Sequence, residues 1–169
     1  MGYAALKPFA RAGSAVSTEA LAVRKAASAV IALAERSHAL FGAKAATIAQ
    51  IWALARECSE PGWNGEAARP VDQLAAISAS DFIRALPYGV ALPEIAPEPD
   101  GSISLDWIQS RNRLFTLSVG VNNRLAYAWL DGADKGHAVA RFDGETIPSK
   151  ILDGITGIMT TGNVAIGSR

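Results

Sequence analysis

Two histidines, His38 and His137, and one cysteine, Cys58, are the residues best suited to moving a proton, holding a metal or attacking an electrophile. Zinc and histidine-base chemistry need several such groups together, and ligand spacing is its usual trace in a sequence. Neither histidine has that spacing, and they lie far apart in the chain. Cys58 ends an apolar stripe of Ile48, Ile51, Trp52 and Ala55 at helical intervals, where a thiol behaves as a small hydrophobe. Asp106 and Asp143 are carboxylates that strands would have to bring close for glycosidase-like chemistry. Alternation turns Asp106 away from its apolar neighbours, and Asp143 stands beside a turn glycine, Gly144. No glycine-rich loop with a following lysine and hydroxyl occurs, and GITGIMTTGN lacks the charge and strand-to-helix setting of a phosphate cradle. The expectation is a chain without catalytic residues, cofactor or metal ligands.

Binding chemistry fares better. Arg111, Arg113, Arg124 and Arg141 accompany Trp107, Tyr127 and Trp129, and exposed rings on a basic sheet can stack nucleobases. Here the rings fall on the bulky face expected to be buried, and sixteen basic residues balance sixteen acidic ones. That balance removes the net attraction on which a nucleic-acid binder relies, so a nucleic-acid accessory protein is the alternative reading and a small hydrolase a weaker one. Two surfaces suit a protein partner. One is the turn at Trp63, Asn64 and Glu66 in an acidic middle section; the other is the sheet face carrying Ser104, Asp106, Thr116 and Ser118. Trp63 has a competing and favoured role as an anchor folding its loop onto the core.

These residues are positioned by a single α+β domain, 1–169, whose organising stretch is 100–143. There the apolar pattern has a period of two. Ile103, Leu105 and Trp107 alternate with Ser104 and Asp106; Phe115, Leu117 and Val119 with Leu114, Thr116 and Ser118; Leu125, Tyr127 and Trp129 with Ala126, Ala128 and Leu130. A fourth strand, HAVARFD, follows Gly136, and 90–95 has the prolines of a short edge strand. The spacing predicts a four- or five-stranded antiparallel meander over 90–143, with one face covered by N-terminal helices and the small-residue face covered by the protein or its dimer.

Residues 17–86 read as helical. Ser17 or Thr18 can cap the first helix, which carries Val23, Ala27, Val30, Ile31 and Ala34 on one face; Gly42 marks a break, and the two stripes give a helical hairpin or a pair of helices that wrap the sheet. A helix over 71–86 bears Val71, Leu74, Ala75, Ser78, Phe82 and Leu86 on one face and stops at Pro87, and a short C-terminal helix spans 148–159, weakened by Gly154 and Gly157. Residues 1–16 read as a flexible or docking arm, and the tail from Thr160 as a short strand or mobile end. No run of eighteen apolar residues and no secretory apolar stretch are present, and one cysteine permits no internal disulfide, so a cytoplasmic protein away from membranes is expected. The alanine-rich helices bury little area each and imply a homo-oligomer.

GWNGEAARP from Gly62, LPEIAPEPDGSISLDW ending at Trp107 and the IPSKILDGI segment resemble a group of small uncharacterised bacterial proteins, over roughly 55–155. The resemblance implies a shared core built on the Trp63 turn and the Asp100 to Trp107 hairpin, and an accessory or partner role. It implies no activity. The expected function is a non-enzymatic, self-associating protein-interaction module.

Overall fold

The computed structural model describes residues 18–160. The expected N-terminal arm, the Ser17 cap and the C-terminal tail beyond Thr160 lie outside them. The elements are α1 (Thr18–Glu57), α2 (Gln73–Ala85), β1 (Glu94–Pro97), β2 (Ile103–Ser110), β3 (Arg113–Val119), β4 (Arg124–Asp131), β5 (Asp134–Arg141) and α3 (Ser149–Met159). The fold is α+β, with one five-stranded antiparallel sheet in the order β1-β2-β3-β4-β5. None of the described helices is long and apolar enough to cross a membrane.

The break expected at Gly42 is absent, for α1 is one helix of 40 residues. A glycine inside a helix costs only about 1 kcal/mol relative to alanine, and the alanines around Gly42 are the best helix formers available. The chain divides into two compact units, one ending at Ala39 and the other starting at Leu40. In the first unit Val23, Val30, Ile31 and Leu33 of α1 are 58–67% exposed. In the second, Ile51 is fully buried in the core, with Ile48, Trp52 and Leu54 packed against it. Cys58 joins that core as expected, and burial, with the Glu57 charge, raises its thiol pKa.

The register follows the alternation. Trp107 faces Phe115, which faces Trp129; Leu105 faces Leu117, which faces Tyr127. The edge strand begins four residues later than expected, at Glu94, because its pairing with β2 starts at Asp106, and β5 begins at Asp134 rather than His137. Asn122 and Asn123 both adopt left-handed φ in the β3–β4 turn, the conformation that a tight hairpin demands and asparagine tolerates.

Against the bulky face pack Phe82 and Ile83 of α2 and Ile151, Ile155 and Ile158 of α3. The buried face of α2 differs from the expected stripe, since Leu74 is exposed and Ile83 is fully buried. The ring of Phe82 sets the helix's rotation, meeting Trp107 and Phe142 edge-on. Asp72 caps α2 by accepting from Leu74 N, and the Lys44 ammonium donates to the Arg84 and Leu86 carbonyls at its other end, where free carbonyls favour a cation. Gly154, expected to weaken α3, has a packing purpose: a Cβ there would stand 2.5 Å from the Phe115 ring.

Candidate functional site

Within the unit that begins at Leu40, α2, α3 and the α1 residues from Ile48 onward pack on the bulky side of the sheet, and the small-residue face stays open among the described residues of that unit. Ala126, Ala128, His137 and Val139 on it are exposed, while Asp106, Thr116 and Ser118 are half-buried between their neighbours. Coverage by the protein's own helices, one expectation for this face, is not found. Among the described residues of that unit, the buried side chains of α2 and α3 and of α1 from Ile48 are already committed to the bulky face.

Of the sequence-chosen residues, four gather on or beside this face. Ser104 is buried and donates to Asp106 Oδ1 at 2.8 Å. Thr116 is Asp106's register partner on β3, and Ser118 is that of Ser104. The Ser118 hydroxyl donates to the Glu98 carboxylate, while the Ser102 hydroxyl lies between the carboxylates of Glu98 and Asp100. These bonds close the β1–β2 turn and tie it to β3. Hydrogen bonds from Ser102, first its side chain and then its backbone N–H, hold the Asp100 carboxyl below its ordinary pKa. A depressed carboxylate stabilises the fold above its unfolded pKa of about 4, and that stability is lost as pH falls through the lower folded value. Asp100→Asn is therefore expected to flatten the acid limb of a stability-against-pH curve below about pH 4, measured by urea denaturation at stepped pH. An unchanged acid limb would contradict it.

The Trp63 turn is a separate feature. The Trp63 indole donates to the Arg69 carbonyl at 2.9 Å and packs on the core, and Asn64 Oδ1 accepts from Glu66 N at 2.9 Å. The indole thus holds the loop down, while Asn64 and Glu66 remain exposed.

The catalytic pairings are not assembled. Asp106 is in β2 and Asp143 follows β5, with β3 and β4 between them; at about 4.8 Å per strand the separation exceeds the reach of a glycosidase pair. Asp143 instead accepts from the N–H groups of Glu145 and Thr146, and these bonds lower its pKa. His137 is exposed on the edge strand. The described residues contain no group of three potential metal ligands.

Arg113 was a nucleic-acid candidate, yet it clamps α3. Its Nε donates to Asp131 Oδ1 at 2.8 Å, and its two terminal nitrogens donate to the Gly157 and Thr160 carbonyls. A guanidinium fork suits that combination of carboxylate and helix C-terminus.

The sequence also missed a cavity. On the bulky face, where α3 reaches β4 but leaves part of β4 and β5 uncovered, Tyr127 and Trp129 are half-buried rather than buried. With Phe115 they line a space of about 280 Å³ rimmed by Asp131, Asp134 and Asp153. One signal was available: Gly136 lies opposite Trp129 in the register. No family model, curated protein or solved structure matches this chain.

Proposed function

We propose that this protein is a non-enzymatic interaction module that associates with a second copy of itself through the first half of α1 and presents the open sheet face to a partner protein. The observation that carries the proposal is the exposure of Val23, Val30, Ile31 and Leu33, each 58–67% accessible on one helix. An isolated helix is marginal in water and draws its stability from packing of its apolar side. A two-fold pairing buries the same stripe from both copies at once, and the intervening alanines permit close approach of the axes.

The charges select the orientation. At about 100° per residue, Arg24 and Glu35 lie within about 20° of each other on the same flank of the stripe. Like flanks meet when two identical helices run antiparallel, so each Arg24 then faces Glu35 of the second copy. Arg24→Glu alone and Glu35→Arg alone are expected to weaken self-association by a few fold to about tenfold, and the double exchange to restore it. The test is the dissociation constant of the full chain at low salt. Failure of the double exchange to rescue would contradict the antiparallel arrangement, and a strictly monomeric parent chain would overturn self-association.

The open sheet face suits a partner for a different reason. Ile108 and Val139 are 53% exposed on it, amid small residues that let another backbone or helix come close. Arg113 is engaged and the charge is balanced, which weighs against the nucleic-acid alternative, although Arg111 and the register partners Arg124 and Arg141 are exposed.

A further inference from the structure

The cavity beside α3 has features that interaction through α1 or the open face does not use. Its wall is a row of three aromatic rings. Phe115 and Tyr127 stack with centroids 5.5 Å apart and planes at 21°, and Tyr127 and Trp129 follow at 6.2 Å and 30°. Two glycines make that row possible. A Cβ at Gly136 would stand 2.3 Å from the Trp129 ring, and one at Gly154 would stand 2.5 Å from the Phe115 ring. Any larger residue at either place would push a ring aside. Glycine weakens both strand and helix interiors, so the two glycines oppose the local structure in order to seat the rings.

Around the rings are Asp131, Asp134 and Asp153, with Lys150 as the one cation lining the same space. Asp131 is neutralised by Arg113. Asp134 and Asp153 are exposed and, among the described residues, in no ion pair. Counting all five groups, Arg113 included, the site keeps one net negative charge. Ring faces carry negative potential and attract a cation within about 6 Å, most strongly when the cation sheds water easily. A bare metal ion or an ammonium group is held by its hydration; an alkylated ammonium is not. The cavity volume also exceeds what a single ion needs and accommodates a group of several methyls.

We propose that this cavity binds an alkylammonium group, with Tyr127 and Trp129 as its accessible aromatic wall, the buried Phe115 ring stacked on Tyr127, and Asp134 and Asp153 as its counter-charges. The group could arrive on a free small molecule or on a methylated lysine side chain, and the test separates the two. The full chain is titrated with choline, with its neutral isostere 3,3-dimethylbutanol, and with a short peptide carrying trimethyllysine or unmodified lysine, while the Trp129 indole N–H and the β4 and α3 amides are followed by NMR. The expected result is a localised shift with choline and at least about tenfold weaker binding of the neutral isostere. Trp129→Leu abolishes the response. Asp134→Asn with Asp153→Asn, both at exposed positions that leave packing intact, weakens it several-fold. Trimethyllysine peptide binding tighter than choline assigns the group to a protein side chain, and equal or weaker binding assigns it to a free molecule. Equal binding of choline and its isostere, a response unaffected by the double asparagine variant, or no shift with choline or the trimethyllysine peptide would overturn the proposal.

Discussion

Replacing Trp107 with alanine is expected to lower the free energy of unfolding by about 3–5 kcal/mol, the range for a large aromatic removed from a packed core. Trp107 is 1% exposed and sits where three elements meet. Its ring is edge-on to Phe82 of α2 at 6.3 Å and to Phe115 of β3 at 6.0 Å, an arrangement that adds to simple area burial. Its indole N–H also donates to the Ala91 carbonyl at 2.7 Å, fixing the segment that leads into β1. Truncation opens a cavity and strips that carbonyl of its donor. Trp107→Phe keeps most of the volume and is expected to cost less, chiefly the hydrogen bond at about 1 kcal/mol and some packing. Urea denaturation of both variants provides the comparison; a loss below about 1 kcal/mol for the alanine variant would contradict Trp107 as the centre of the core.

Gly101→Ala is the second large effect, at about 3 kcal/mol. Gly101 has φ +89°, and an added Cβ would lie 2.7 Å from the Pro70 carbonyl oxygen. That carbonyl belongs to backbone and cannot swing aside as a flexible side chain would. The neighbouring bonds show what is at stake. Asp72 N donates to the Gly101 carbonyl at 2.9 Å and Arg69 N to that of Pro99 at 2.8 Å, so the β1–β2 turn is stitched to the segment that starts α2. Gly132→Ala is the matched control: φ there is +64° but nothing lies within 4 Å of the added carbon. It is expected to cost only the left-handed penalty of about 1–2 kcal/mol. Equal losses in the two variants would show that the contact with Pro70 contributes nothing.

Strands β2 and β3 were legible because one face of each is buried, and a period of two survives in Ile103, Leu105 and Trp107 and again in Phe115, Leu117 and Val119. The Pro87 stop of α2 and the paired asparagines of the β3–β4 turn were legible for a similar local reason, since each restricts backbone angles by itself. Gly42 misled because a helix break depends on the sum of neighbouring propensities, and alanine outweighs one glycine. Leu74 left the expected stripe and Ile83, which was not in it, is buried, because an apolar stripe leaves the rotation of a helix loose by a residue or so. Phe82 fixes it only once it meets Trp107. The exposed state of the second sheet face and the cavity at Trp129 share a deeper cause. Alternation reveals which side a residue points to, but not whether a helix lies over that side, and at Trp129 the answer depends on how far α3 extends across the bulky face. Arg113 shows the same limit, because its carbonyl partners at Gly157 and Thr160 are far along the chain.

Self-association through the exposed stripe of α1 is the proposed basis of the protein's role. Sedimentation equilibrium of the full chain, with Val30→Lys as the comparison, tests it most directly. The expected result is a mass of twice the protomer for the parent chain at micromolar concentration and above, and a protomer mass for a folded Val30→Lys variant. A parent chain that sediments as a monomer throughout, or a Val30→Lys variant that dimerises as tightly as the parent, would contradict the claim.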